Sequence, residues 1–214
     1  MKLVLFDVDG TLVTQPGTEL RFFKHLLRAG LLGPRQLGVA ACYSVLLFPR
    51  YGRNTLRKNK SYLSGLPVSI VAEQAEQFVA DTLAQCLISA TVKRLREHVE
   101  AADRVALLTG TPQFIADPLA RYLGAHFALG ALCARRGDQF AGGLPLRHPF
   151  NRTKVDAARQ IAQQFGLPLS EAVAYGDSVN DAALFRNVRR SIAIMPGQRL
   201  RAMARAEGWE VIAG

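Results

Sequence analysis

Hydrophobic and polar positions along the chain follow two rhythms. Residues 2–6 (KLVLF) form a short apolar run with β-branched content, the pattern of a buried strand. Comparable runs recur at 104–112 (RVALLTGTP), within 172–185 (AVAYGDSVNDAALF) and at 191–195 (SIAIM), and GWEVI closes the chain. Between them the period lengthens to that of an amphipathic helix. It does so at 91–101, at 113–123, and in TKVDAARQIAQQF, which Gly166 terminates. Residues 126–144 (HFALGALCARRGDQFAGGL) read as short β pieces, with a hairpin turn at Arg136-Gly137-Asp138. Strands alternating with helices predict a Rossmann-like, three-layer α/β fold on a parallel sheet, because parallel strands need crossover connections.

One block breaks the alternation. Residues 19–90 are helical in pattern throughout: LRFFKHLLRAGLL, LGVAACYSVLLF and VSIVAEQAEQFVADTLAQCLI. Gly33-Pro34, Pro49 and Gly65-Leu66-Pro67 punctuate them, and Ser69 marks a helix start with Glu73 and Glu76 in the early turns. The expected organisation is an α/β core made of 1–14 and 91–214, with 15–90 inserted as a helical domain.

Charge changes this picture more than composition does. The net charge is +10. Arg21, Lys24, Arg28, Arg35, Arg50, Arg53, Arg57, Lys58 and Lys60 stand in a stretch, 20–72, that holds no Asp or Glu. Such a run attracts anions. Arg53, Arg57 and Lys60 share a face if 50–60 is helical. Cys42, Cys86 and Cys133 are scattered, which argues against a disulfide framework and reads as buried small hydrophobes in a reducing compartment. Asp7 and Asp9 interrupt the apolar start, so it does not read as a signal peptide. Residues 37–48 are about half the length of a spanning helix. The expected location is cytoplasmic, with peripheral contact at the inner membrane face as an option. The apolar residues 39–48 either pack within the insert or meet another subunit.

Three strands run into polar loops: DVDGT (7–11), TGT (109–111) and GDSVND (176–181). Loops at strand carboxyl ends line the crevice of an open α/β sheet, so these three are expected to converge. That gathers Asp7, Asp9, Asp177 and Asp181. Like charges so close call for a cation, and hard oxygen donors favour Mg2+. An EF-hand reading fails, because the glycine it needs at loop position six is Leu12 here. Thr11, Thr109 and Thr111 offer hydroxyls, and Lys154 at a helix start offers a positive charge. Together these groups suit phosphoryl transfer: a carboxylate to attack phosphorus, another to move a proton, and cations to absorb charge. The histidines 25, 98, 126 and 148 lack ligand spacing and read as structural or surface residues, and Trp209 as packing.

DVDGT, Thr109, Lys154 and GDSVND, in this order, resemble the four motifs of the haloacid dehalogenase superfamily of phosphohydrolases. The helical insert after the first motif and the YGDSVNDAALF segment are similar to its phosphoserine-phosphatase-like branch, subfamily IB, which carries a small helical cap. The resemblance implies that Asp7 is the nucleophile and Asp9 the general acid/base. It implies that the Asp7 carboxylate, the Asp9 main-chain carbonyl and Asp177 bind Mg2+, with Asp181 supporting metal and lysine. Thr109, Gly110 and Lys154 would hold the phosphoryl group, Asn180 would line the phosphate side, and Thr11 would hydrogen-bond near the nucleophile.

The favoured function is therefore a Mg2+-dependent phosphomonoesterase working through an aspartyl-phosphate. Phosphoserine phosphatases of the branch place an acidic residue soon after the first motif to hold the substrate amine. Glu19 is the one such residue nearby, and basic residues follow it. The basic insert points instead to a phospholipid head group or another anionic phosphate ester, with anionic membrane as a surface partner. The alternatives are a phosphoserine-type metabolite phosphatase, a phosphotransferase, and a non-catalytic anion- or nucleic-acid-binding module. Nucleic acid is not an expected partner of the favoured reading.

Overall fold

A computed structural model describes residues 1–52 and 55–213, without the side chains of Leu56 and Arg57. The chain opens with β1 (Leu3–Phe6). Among the described residues five α-helices follow: α1 (Thr18–Arg28), α2 (Pro34–Tyr51), α3 (Thr55–Lys58), α4 (Val68–Phe78) and α5 (Ser89–Glu100). Then come β2 (Arg104–Pro112), α6 (Gln113–Leu123), β3 (Phe127–Ala131), and the strands β4 (Arg135–Arg136) and β5 (Gln139–Phe140). The last part holds α7 (Arg152–Phe165), β6 (Val173–Gly176), α8 (Ala182–Phe185), β7 (Arg190–Ile194), α9 (Gln198–Glu207) and β8 (Glu210–Ile212).

Six strands form one parallel sheet in the order β3-β2-β1-β6-β7-β8. Both faces are covered, which is why the strands read as apolar runs rather than alternating ones. Val4, Phe6, Val105, Leu107, Tyr175 and Ile192 face a core shared with Leu95, Ile115, Leu119, Phe22 and Phe78. Leu3, Leu5, Ala106, Leu108, Ala174 and Ala193 face the other layer, against Ala158, Ile161, Leu184, Phe185 and Leu200. Chain direction across the sheet reverses between β1 and β6, so the crevice at their carboxyl ends is the natural ligand site.

The expected hairpin is present, with β4 and β5 antiparallel around Gly137 and Asp138. It is stitched to the helical segment: Gly65 donates to the Phe140 carbonyl (2.9 Å), and Phe140 to that of Leu66 (3.0 Å). His98 bridges Asp103 (2.9 Å) and the Tyr175 hydroxyl (3.0 Å), and the Tyr175 ring stacks on Phe6 at 4.2 Å. His25 meets Gln74, His126 accepts from the Val105 N–H, and Trp209 packs edge-on against Phe185, so these four are structural as expected.

Four expectations are corrected. Pro49 does not end the second helix, which runs to Tyr51 and stops at Gly52 with φ +51°. The proline sits on an exposed last turn, where losing one hydrogen bond is tolerated. The α4 helix begins at Val68, with Pro67 rather than Ser69 at its start. Cys42 is exposed on α2 and Cys86 half-buried; among the three thiols Cys133 alone is buried, and burial pushes it up to about 12. Finally, Lys60 does not share an exposed basic face. It lies beyond the end of α3, almost wholly buried, and ion-pairs with Glu19. Arg53 lies outside the described residues, as does the side chain of Arg57.

Candidate active site

The backbone delivers Asp7 to the crevice. Its N–H donates to the Tyr175 carbonyl (3.0 Å), so the β1–β6 pairing continues up to the carboxylate. The chain then turns sharply: Gly10 donates to Val13 (2.7 Å), and Leu12 and Val13 both donate to Val8. Gly10 has φ +87°, and a Cβ there would stand 2.1 Å from Asp177 Oδ2. Only glycine lets the first loop approach the loop after β6 this closely. A Cβ on Gly176 would likewise stand 2.5 Å from Asp181 Cγ. The two acidic loops are thus packed backbone to carboxylate.

Lys154, in the first turn of α7, is buried and reaches both loops. Its Nζ donates to Asp7 Oδ1 at 2.7 Å and also to Asp181 Oδ1. The other Asp181 oxygen accepts from the Ser178 N–H and hydroxyl, each at 3.2 Å. Asp9 is held differently. Its Oδ1 accepts from the Thr18 N–H (2.6 Å) and the Thr18 hydroxyl (2.5 Å) at the start of α1. Its Oδ2 faces the Thr111 hydroxyl at 3.4 Å, and Thr111 is tied to the Thr109 hydroxyl. The start of α1 therefore orients this carboxylate.

Oxygens of Asp7, Asp177 and Asp181 lie within 4.8 Å of one another. One ammonium faces three carboxylates, and the balance shows in their protonation. Burial pushes Asp7 up to about 8, the charges of Asp181 and Asp177 add to this, and Lys154 opposes it. Burial and Asp181 push Asp177 up to about 7. The all-oxygen donor set with surplus negative charge fits a hard divalent cation such as Mg2+.

A pH dependence follows. Without metal, the folded chain keeps protons on Asp7 and Asp177 that the unfolded chain has released. Stability therefore falls as pH rises from about 4 and levels off above about 8. Chelator-treated protein is expected to melt at lower temperature near pH 8 than near pH 6, and Mg2+ to raise the melting temperature more at the higher pH. A Mg2+ shift that is larger near pH 6 would contradict a cation site here.

Asp7, Asp177 and Lys154 floor a cavity of about 520 Å³, together with Asp9, Thr109, Gly110, Ser178 and Asn180. The family model for haloacid dehalogenase-like hydrolases matches residues 4–186. The chain belongs to the haloacid dehalogenase-like hydrolases. Phosphoserine phosphatase SerB1 of Mycobacterium tuberculosis is 30% identical over 213 residues, covering 96% of this chain and 68% of that protein. A crystal structure of a protein of unknown function from Bordetella pertussis Tohama I has a TM-score of 0.81 at 29% identity, covering 99% and 97% of the two chains. A probable phosphoserine phosphatase from Vibrio cholerae matches with a TM-score of 0.66 at 18% identity, covering 99% of this chain and 60% of that one. At that identity the second structure speaks for the fold alone. Family and relatives make this hydrolase a phosphatase of the haloacid dehalogenase type.

Within the hydrolase, the sequence-derived candidates Asp7, Asp9, Thr109, Gly110, Lys154, Asp177 and Asn180 all line one cavity, and Asp181 sits behind it on Lys154. Thr11 departs from expectation. It is fully buried, and its hydroxyl has no hydrogen-bond partner among the described residues. It does not line the cavity, and the hydrogen bond expected of it near the nucleophile is not made among the described residues. His148 departs in the other direction. It lines the cavity, and its Nε2 would stand 3.1 Å from a Cβ on Gly110. Its place in a Gly/Pro-rich loop just before Lys154 is the one sequence signal that could have marked it. Thr18 and the pair Thr109–Thr111 also position Asp9, through contacts that spacing does not reveal.

Proposed function

We propose that this hydrolase cleaves phosphomonoesters through a phosphorylated Asp7. The observation that carries the reading is the buried Lys154 bound to both Asp7 and Asp181 on the floor of a cavity rimmed by Thr109 and Gly110. A carboxylate oxygen of Asp7 attacks phosphorus and the ester P–O bond breaks. Asp9, two residues on and oriented by Thr18, gives its proton to the leaving oxygen. Water then attacks the aspartyl-phosphate, Asp9 takes the proton, and phosphate leaves. Lys154 and the Thr109 hydroxyl balance and orient the phosphoryl oxygens. Asp7, Asp177 and the Asp9 main-chain carbonyl would hold Mg2+, which supplies charge neutralisation to the transferring group. Residues 15–90 act as a cap, since Glu19, Phe23, Leu37, Ala40, Asn59 and Tyr62 complete the cavity from above the sheet.

Acid quenching during turnover of a phosphomonoester with Mg2+ tests this. A phosphoryl mass is expected on the peptide carrying Asp7. Its consistent absence during measurable turnover would reject the covalent route.

A second reading concerns the cap surface. α2 has no buried residue, and Val45, Leu46 and Phe48 are 74%, 73% and 61% exposed. Exposed Arg35 and Arg50 flank them. No helix among the described residues is long and apolar enough to cross a membrane. We propose peripheral contact of α2 with anionic membrane, the cationic flanks matching acidic head groups. Co-sedimentation with acidic phospholipid vesicles is expected at low salt and to weaken as salt rises. Equal binding to neutral vesicles, or none, would overturn it.

A further inference from the structure

The leaving-group half of the cavity has an unusual electrical balance. Its wall is mostly apolar: Leu20, Phe23, Leu37, Ala40, Pro149 and Phe150 line it. Away from the phosphate end, one carboxylate among the described residues reaches this lining, that of Glu19. Glu19 is already engaged, by Lys60 from outside the lining and by Tyr62 within it. Lys60, itself 1% exposed, ion-pairs with Oε2, and the Tyr62 hydroxyl donates to Oε1 at 3.2 Å. Lys60 does not line the cavity, so its charge is spent on the carboxylate and not on a ligand. The pair presents a neutral surface.

An ammonium entering here would lose its water without gaining an unshared carboxylate, which is costly. An apolar body entering the same space would be stabilised by burial against the aromatic and aliphatic wall. The volume, about 520 Å³, is in the range of sites for ligands well larger than a phosphorylated amino acid.

We infer that the substrate is a phosphomonoester whose leaving alcohol is uncharged and largely apolar, and that Lys60 sets this preference by neutralising Glu19. The inference rests on the phosphomonoesterase reading and specifies its substrate class. It separates this chain from an enzyme that selects an amine-bearing leaving group.

The test compares three primary-alkyl phosphates of similar intrinsic reactivity: 2-phenylethyl phosphate, phosphoethanolamine and phosphoserine, each with Mg2+. For the full chain, kcat/KM for 2-phenylethyl phosphate is expected to exceed the other two by about 100-fold. In Lys60→Met, which uncovers the Glu19 carboxylate, the ratio is expected to shrink at least about tenfold, chiefly by a gain on the two amines. A wild-type ratio near one, or a preference for phosphoserine, overturns the inference while leaving the phosphatase reading intact. An unchanged ratio in folded Lys60→Met overturns the role of Lys60. If none of the three is turned over and acetyl phosphate leaves no phosphoryl group on Asp7, the phosphatase reading itself falls and the substrate class with it. Should the variant fail to fold, the wild-type ratio decides the substrate class alone.

Discussion

Asp7→Asn is expected to lower kcat by about four orders of magnitude or more, because a neutral amide oxygen does not displace an alcohol from phosphorus. The same variant should leave the fold intact. The amide keeps an oxygen able to accept from Lys154 Nζ, which stands 2.7 Å from Asp7 Oδ1. The change also removes one of three crowded negative charges, the one burial has pushed up to about 8. Chelator-treated Asp7→Asn is therefore expected to melt no lower than wild type near pH 8, and its Mg2+-induced rise in melting temperature to shrink. Activity and stability would move independently, which separates a nucleophile from a structural carboxylate. Turnover within tenfold of wild type would remove Asp7 from that role.

The core of this site was legible because its chemistry is carried by strand ends. DVDGT and GDSVND follow apolar runs, and two parallel neighbours, β1 and β6, bring their ends together by geometry alone. Lys154 was legible as a cation at a helix start, and α7 places it where that reading needs it. What escaped depends on packing between distant segments. His148 reaches the cavity from a loop without periodicity, and nothing in its spacing ties it to Gly110. Thr18 holds Asp9 only because α1 starts against the first loop. The largest misreading was electrostatic. A run of like charges suggests one basic face, yet Lys60 turns inward to Glu19, forty-one residues earlier in the chain. Charge patterning reports which residues are present in a stretch, and burial decides which of them solvent ever meets.

Lys154→Met is expected to damage both folding and catalysis, by separable routes. Burial works against the charge on Lys154, but Asp181 and Asp7 outweigh it and hold the ammonium well above its usual range. Methionine fills similar volume and contributes no charge. Asp7, Asp177 and Asp181 then face one another without the cation that ties two of them together. Removing one partner of a buried ionic cluster costs about 3–5 kcal/mol. In chelator that loss should be largest above about pH 8, where Asp7 and Asp177 have released their protons in the wild type, and shrink as pH falls and the two carboxyls stay protonated. Mg2+ should restore part of the stability, since a divalent cation answers the same surplus charge. It should not restore turnover, expected to stay down about a thousandfold, because in the proposed mechanism Lys154 also meets the charge that develops on the transferring phosphoryl group. Thermal melts with and without Mg2+, set beside kcat at saturating Mg2+, distinguish the two effects. If Mg2+ restored both together, Lys154 would serve only to neutralise Asp7 and Asp181, and phosphoryl recognition would rest on Thr109, Gly110 and Asn180.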